Sequence, residues 1–194
     1  MKLVPGLLGA CLVLTACTGT DTTAPTVTVT APPTSATQPA PPSPDPATLT
    51  WMDGFCAAIN GYRERTNREA KPAQPDPTTV AEAQRRLSAL LGGMAARTGE
   101  VVDRLSALPP APVPLAETVR QAFVTKFTTS RDRAGDAKTA LDHAKPGDQA
   151  SQDPAGQALE QAQQDVDGMY DPVAPMAASP ELMLAAGSAP GCKI

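Results

Sequence analysis

The four cysteines are the residues of this sequence whose type and spacing most directly suggest chemistry. They stand at positions 11, 17, 56 and 192. Cys17 follows a positively charged start, Met1-Lys2, and an apolar run from Leu3 to Val13. A charged start before a short apolar run is the layout of a secretory signal, and Cys17 stands where such a signal is cleaved. The sequence therefore predicts export, with a cysteine at the cleavage site.

Two other interpretations of this stretch fit less well. An uncleaved transmembrane anchor needs about 20 apolar residues, whereas residues 3–16 are fewer and include Pro5, Gly6 and Gly9. An ordinary signal peptide has no need of a cysteine at its cleavage site. No twin arginine precedes the apolar run, which favours the general secretory route and folding outside the cell.

The residues at the cleavage site are Leu14-Thr15-Ala16-Cys17, and they resemble the lipobox of bacterial lipoproteins at every position. The resemblance implies cleavage after Ala16, a diacylglyceryl thioether on Cys17, and a new amino terminus that can be acylated with a fatty acid such as palmitate. Residues 1–16 are then a lipoprotein signal peptide. We expect the mature protein to be lipid-anchored on the extracytoplasmic face of the bacterial cell membrane.

Two cysteines remain for the exported part of the chain, because Cys11 leaves with the signal and Cys17 carries the lipid. Cys56 and Cys192 then form a pair in an oxidising compartment, and we expect a disulfide between them. Two free buried thiols are the alternative. A pair so far apart has neither CxxC reactivity nor enough ligands for a metal. The bridge would stabilise the fold by about 4 to 5 kcal/mol in the chain-entropy model.

Residues 17–47 are predicted to be the lipidated cysteine and a disordered linker. The linker is rich in threonine and proline and has no aromatic residue, so it cannot build a core. Its prolines favour an extended arm. Residues 48–194 are long enough for one domain with a single core.

Apolar residues recur at helical spacing in five segments of residues 48–194. We expect helices from about Thr48 to Ala70, from Pro77 to just before Pro109, over 115–144, from Pro154 to about Tyr170, and from Pro180 to Ala186. Asp76, Asp153 and Ser179 each precede a proline and are predicted N-caps. Gly92-Gly93 and Gly99 predict either a kink in the second helix or close packing against it.

Short links between these helices predict an all-α, up-down-up-down helical bundle with a short fifth helix, behind the disordered Thr/Pro-rich linker. In this topology Cys192 returns to the end of the bundle where Cys56 lies. The linker leaves from that end as well, so residues 145–153 would face away from the membrane. One aromatic layer of the core is predicted from Trp51, Phe55, Tyr62, Phe123 and Phe127.

The search for catalytic groups is mostly negative. His143 is the one histidine and stands beside Asp142, but a Ser-His-Asp site would need an activated serine, and no GxSxG motif is present. We expect His143 to be an exposed residue at a helix end. HExxH, GxxxxGK[ST] and GxGxxG motifs are also missing from the sequence. The prediction is no catalytic residue, no metal site and no cofactor.

Three clusters deserve a structural test, each with a functional and a plain interpretation. Asp165, Asp167 and Asp171 suggest a calcium site, but they do not fit an EF-hand loop, and a solvated acidic helix end is favoured. Met169, Met176 and Met183 suggest copper, but prolines interrupt them, and core filling is favoured. Arg63, Arg65, Arg68 and Lys71 suggest an anion or lipid-headgroup patch; a solvated helix end with Glu64 paired to Arg68 is favoured.

The charge and architecture of the chain limit its function class. Sixteen Lys and Arg against 20 Asp and Glu give a net charge of −4, which argues against nucleic acid as a partner. A Thr/Pro-rich arm behind a lipobox and a small helical domain are similar to lipoproteins of actinobacteria of uncharacterised function, a resemblance that implies no catalytic residue. We expect a non-enzymatic module that binds a protein or envelope component; the alternative is a carrier of a small apolar or lipid-like ligand. An enzyme is the third hypothesis.

Overall fold

The computed structural model describes residues 43–70 and 75–193. The predicted signal peptide, Cys17, the linker up to residue 42 and Lys71 lie outside the described residues. The described part of the chain is an all-α bundle without a strand, as predicted from the sequence. Its helices are α1 (Pro46–Glu69), α2 (Val80–Ser106), α3 (Pro114–His143), α4 (Gln152–Asp165) and α5 (Pro180–Ser188). Short 3-10 turns occupy Gln149–Ser151, Ala174–Met176 and Pro190–Cys192. None of the described helices has the combination of length and apolarity that a membrane span requires.

Helix α1 begins at Pro46, two residues before the predicted start. The cap is Asp45, whose carboxylate accepts a hydrogen bond from the Thr48 backbone N–H at 3.0 Å and another from the Thr48 hydroxyl at 3.2 Å. Aspartate before proline is the same pair that the sequence shows at positions 76 and 153. The folded part of the chain therefore includes Asp45 and Pro46, which the sequence assigned to the linker.

Helix α2 begins at Val80 instead of Pro77, because Thr79 and not Asp76 is its N-cap. The Thr79 hydroxyl accepts from the Glu82 N–H at 3.2 Å, and the Glu82 carboxylate accepts from the Thr78 N–H at 3.0 Å. Such reciprocal bonds satisfy two donors that a helix start leaves unpaired. The predicted cap at Asp76 is wrong.

The same helix runs without interruption through Gly92-Gly93, so close packing explains its glycines. A Cβ atom on Gly92 would lie 3.1 Å from Lys138 Cε, and one on Gly99 would lie 3.4 Å from Arg131 Cδ. Gly92 and Gly99 are seven residues apart on α2, as are Arg131 and Lys138 on α3. The two long side chains of α3 therefore lie across the bare backbone of α2.

Helix α4 begins at Gln152, before the predicted Pro154, and it ends before the predicted Tyr170. Its N-cap residue is Ser151, so the predicted cap at Asp153 is wrong, and the helix ends at Asp165 instead of Tyr170. Gly168 has a φ of +76°, which a glycine adopts without strain and which leads the chain out of the helix. At 1.5 Å per residue α4 is about 21 Å long and α3 is about 45 Å long. The Ala174–Met176 turn follows α4 in the sequence and packs on α3, as α4 does. Helix α5 packs on α1.

The predicted aromatic layer is present at the centre of the bundle. The rings of Trp51 and Phe55 stack with centroids 5.1 Å apart, and Phe55 meets Phe123 edge to face at 5.2 Å. Tyr62 meets Phe127 in the same way at 5.2 Å. All five side chains are at most 5% exposed. These rings join α1 to α3.

A disulfide and two hydrogen bonds of Gly191 hold the C-terminal segment against α1. Cys56 and Cys192 form the predicted disulfide, with Cα atoms 4.8 Å apart. Beside it, the Gly191 N–H donates to Asp53 at 2.6 Å and its carbonyl accepts from the Asn60 amide at 2.7 Å. Helix α5 has the predicted cap, because the Ser179 hydroxyl accepts from the Leu182 N–H at 3.3 Å.

Candidate functional site

Different elements form the two ends of the bundle. At the end where α1 begins, the Thr48 hydroxyl donates to Glu181 of α5 at 2.8 Å, and Gly54 lies against Leu108 of the α2–α3 link. The start of α2, the end of α3 and the segment from Ala144 to Gln152 lie together at the opposite end. We call this opposite end the distal pole. Its position relative to the start of α1 is the one that the bundle topology predicts.

Gln84 organises the distal pole from a buried position. Its amide nitrogen donates to the Leu141 carbonyl at 3.0 Å, and its amide oxygen accepts from the Gly147 N–H at 2.8 Å. Gly147 has a φ of +80°, which lets the chain turn sharply after α3. Gln152 adds a bond to the Val80 carbonyl at 3.1 Å. Two side chains therefore tie the segment after α3 to the first turns of α2.

A cavity of about 290 Å³ opens at this pole, and we call it the Gln84 cavity. It is lined by Ala81, Gln84, Arg85, Ser88, Leu141, Asp142, Ala144 and Pro146. Asp142 accepts from the Ser88 hydroxyl at 2.5 Å and pairs with Lys138. These bonds, from Lys138 first and Ser88 second, lower the pKa of the Asp142 carboxyl. Arg85 is exposed and forms no ion pair within the described residues.

His143 is the last residue of α3 and is exposed, as predicted. Ser88 bonds to Asp142 directly, so the carboxylate does not orient the imidazole between itself and the serine. A triad would need the histidine to accept the proton of the serine. The described residues do not bring these three groups together in that order.

The three aspartates at the end of α4 and after it each have different hydrogen-bond partners. Asp165 pairs with Arg133 at 2.8 Å, and Asp167 accepts from the Gly168 N–H at 3.0 Å. One Asp171 oxygen accepts from the N–H groups of Val173 and Ala174 at 2.9 and 3.0 Å. Across the described residues, no three His, Cys, Asp or Glu side chains converge where they could hold a metal ion.

The three methionines spaced seven apart do not share one environment. Met176 is fully buried, and Met169 is partly buried against the core. Met183 is 39% exposed on α5. Core filling was the right interpretation for Met176 and Met169 and the wrong one for Met183.

The basic cluster of α1 is divided between two surfaces. Arg65 pairs with Glu100 of α2, and Arg104 pairs with the same glutamate at 2.6 Å. The predicted pair of Glu64 with Arg68 is not among the ion pairs of the described residues, and both side chains are exposed to solvent, as a solvated helix end requires. Arg63 instead points toward the segment after α4. There it lines a cavity of about 400 Å³ with Tyr170, Asp171, Pro172, Val173 and Cys192. We call this the Arg63 cavity.

Tyr170 is the residue at this second site that the sequence did not single out. Its ring stacks on Tyr62 with centroids 6.2 Å apart, and 39% of the residue is exposed. The sequence contains one Trp, two Tyr and three Phe, and Tyr170 is the aromatic residue left over from the predicted core layer. An aromatic residue outside the predicted core layer was the feature of the sequence that could have indicated this site.

Comparisons with models of protein families, with curated proteins and with solved structures found no match to this chain.

Proposed function

We propose that this protein is a non-enzymatic binding module, anchored by lipid on Cys17 at the extracytoplasmic face of the bacterial cell membrane, and that its distal pole binds a protein or envelope component. The observation that carries the proposal is that hydrogen bonds hold the distal pole in one conformation. Two hydrogen bonds, from Gly147 to Gln84 and from Gln152 to Val80, tie the segment after α3 to α2, and a third joins Gln84 to Leu141 in the last turn of α3. A surface fixed in this way binds without a large ordering cost.

The chemistry at this pole supports recognition of a partner with mixed character. The lining of the Gln84 cavity includes apolar side chains, Ala81, Leu141 and Pro146, and charged groups of both signs at Arg85 and Asp142. Specific protein contacts commonly combine a small apolar centre with a charged rim. Because α1 begins at the other end of the bundle, the anchored N-terminal segment joins the domain there and leaves the distal pole free for a partner.

The alternative proposal, a carrier of a small apolar or lipid-like ligand, receives less support from the packing. A ligand carried within the bundle would need space between α2 and the second half of α3, where Ala134, Ala137 and Ala140 are small side chains. Leu91, Met94, Ala134 and Leu141 fill that space, and each is at most 2% exposed. An apolar ligand would have to displace packed side chains, which costs free energy.

The anchor is tested with Cys17→Ser in a bacterial host that processes lipoproteins. We expect the wild-type protein to incorporate a clickable palmitate analogue and to sediment with membranes. The variant should lose the label and leave the membrane fraction. A variant that still sediments with membranes after losing the label would contradict the lipid anchor.

The partner surface is tested by photo-crosslinking on intact cells. Benzoylphenylalanine is placed at Arg85, beside the Gln84 cavity, and in a matched control at Ala122, an exposed residue of α3. We expect an adduct of discrete mass from position 85 and none from position 122. Equal labelling from both positions, or none from either, would argue against the distal pole as the binding surface.

A further inference from the structure

The Arg63 cavity lies outside the surface proposed above and has a chemistry of its own. We infer that it binds a small aromatic carboxylate, whose carboxylate group pairs with the Arg63 guanidinium and whose ring lies against Tyr170. The inference uses neither the lipid anchor nor the distal pole. It rests on the charge, shape and rigidity of the cavity.

The lining of the cavity carries one cation, Arg63, and one anion, Asp171, and the two form no ion pair within the described residues. Arg63 donates one long hydrogen bond to the Asn60 side chain at 3.4 Å and forms no ion pair within the described residues. By contrast, Arg97 on the neighbouring helix pairs with Glu69 at 2.7 Å. A guanidinium left with free N–H groups prefers a carboxylate, which it can bind with two parallel hydrogen bonds.

The carboxylate already present in the lining, Asp171, is hydrogen-bonded to the backbone instead of to Arg63. Asp171 directs one oxygen to the backbone N–H groups of Val173 and Ala174 at 2.9 and 3.0 Å. Those bonds fix the turn that follows Tyr170 and hold the aspartate in place. Arg63 therefore keeps N–H groups that the described residues do not use, and the carboxylate of a ligand can bind them.

The walls of the cavity favour a ring over a simple anion. Tyr170, Pro172, Val173 and the sulfur of Cys192 give it aromatic and apolar surface. Tyr170 rests on Tyr62, which is 5% exposed, so its ring is supported from the core while part of it stays open to solvent. A cavity of about 400 Å³ falls within the range of small-molecule sites.

The cavity is also fixed before any ligand arrives. Its walls come from α1, from the turn after α4 and from the C-terminal segment, and the Cys56–Cys192 disulfide joins the first to the last. The hydrogen bonds of Gly191 to Asp53 and Asn60 hold the same junction. A preformed site spends little binding free energy on ordering its own walls.

The experiment is isothermal titration of the full chain with 1-naphthoate and with its neutral isostere 1-naphthamide. We expect naphthoate to bind about tenfold more tightly than the amide, since one charged hydrogen-bonded pair separates them. Arg63→Gln should weaken naphthoate about tenfold and leave the amide unchanged. Arg63→Lys should keep part of the preference, because it retains the charge. Arg68→Gln removes the same charge from an exposed site of α1 and should change nothing.

The location is tested by amide chemical shifts in the same titration. Naphthoate should perturb the signals of Tyr170, Val173 and Cys192 and leave Ala144, in the Gln84 cavity, unmoved. Thermal unfolding of each variant checks that the fold is intact. Equal affinity for acid and amide, an unaltered affinity in Arg63→Gln, shifts centred on Ala144, or no saturable binding at millimolar concentration would each overturn the inference.

Discussion

At the scale of single residues, Gly191 is the position with the least room. A Cβ atom there would collide with the backbone carbonyl oxygen of Asp53 and would lie 3.1 Å from both the Cβ and the N atom of Ala57. Backbone atoms of a helix cannot move aside as a flexible side chain can. The absence of a side chain is therefore what lets the C-terminal segment reach α1 and place Cys192 beside Cys56.

We predict that Gly191→Ala lowers the free energy of unfolding by about 1 to 3 kcal/mol through overpacking. The matched control is Gly156→Ala in α4, where nothing lies within 4 Å of the added Cβ. That control should raise the free energy of unfolding by about 0.5 to 1 kcal/mol, because alanine loses less entropy in a helix. Urea unfolding measures both. Two substitutions with the same sign and size would show that the close approach at Gly191 costs nothing.

At the scale of the helices, much of the fold could be predicted from the sequence and the helix ends could not. Apolar spacing predicts the five helices because it follows from burial on one face. Asp76 and Asp153 satisfy the local rule for a cap, yet Thr79 and Ser151 take the N-cap positions. Gln152 bonds to Val80 across the pole, and such a long-range contact leaves no mark in local spacing.

The residues of the two cavities could likewise be predicted only in part. The sequence indicates Arg63 as a member of a basic cluster and Asp142 as the neighbour of His143. Tyr170 reaches the Arg63 cavity because α4 ends at Asp165 and the chain turns at Gly168. The sequence predicted Tyr170 at the end of a longer helix, so it could not predict that the ring would stack on Tyr62.

The carboxylates at helix starts make the stability of these helices dependent on pH. The Thr48 N–H lowers the pKa of Asp45, the Thr78 N–H lowers that of Glu82, and Arg120 lowers that of Glu117. A carboxyl whose pKa is lower in the folded state binds fewer protons there than in the unfolded chain. Its contribution to stability is complete above the unfolded pKa and is lost as the pH falls through the folded value.

We therefore predict a free energy of unfolding that is level from pH 7 to about 5 and falls below about pH 4, where aspartate and glutamate take up protons. Asp45→Ala should lower the stability at pH 7 and reduce the slope below pH 4. The comparison is Asp153→Ala, which removes an exposed carboxylate that caps no helix and should have the smaller effect. Urea unfolding across this pH range measures the free energy of unfolding of both variants. An equal effect of the two substitutions would contradict the role of Asp45.

At the scale of the whole molecule, one covalent bond closes nearly all of the described chain into a loop. Cys56 and Cys192 are separated by 136 positions in the sequence, so α2, α3, α4 and α5 all lie between them. A crosslink over so long a loop removes many conformations from the unfolded chain and few from the folded one. Its effect on stability therefore does not depend on the contacts around the sulfurs alone.

We predict that Cys56→Ala with Cys192→Ser lowers the free energy of unfolding by about 3 to 5 kcal/mol, the range for loss of a disulfide that closes a long loop. Reduction of the wild-type protein should do the same, since it frees the same loop. The double variant is the control for the reductant, to which it should not respond. Helix content before unfolding should be retained in all forms, because the bonds of Gly191 to Asp53 and Asn60 remain. A loss below about 1 kcal/mol would mean that the unfolded chain keeps its ends together without the bond.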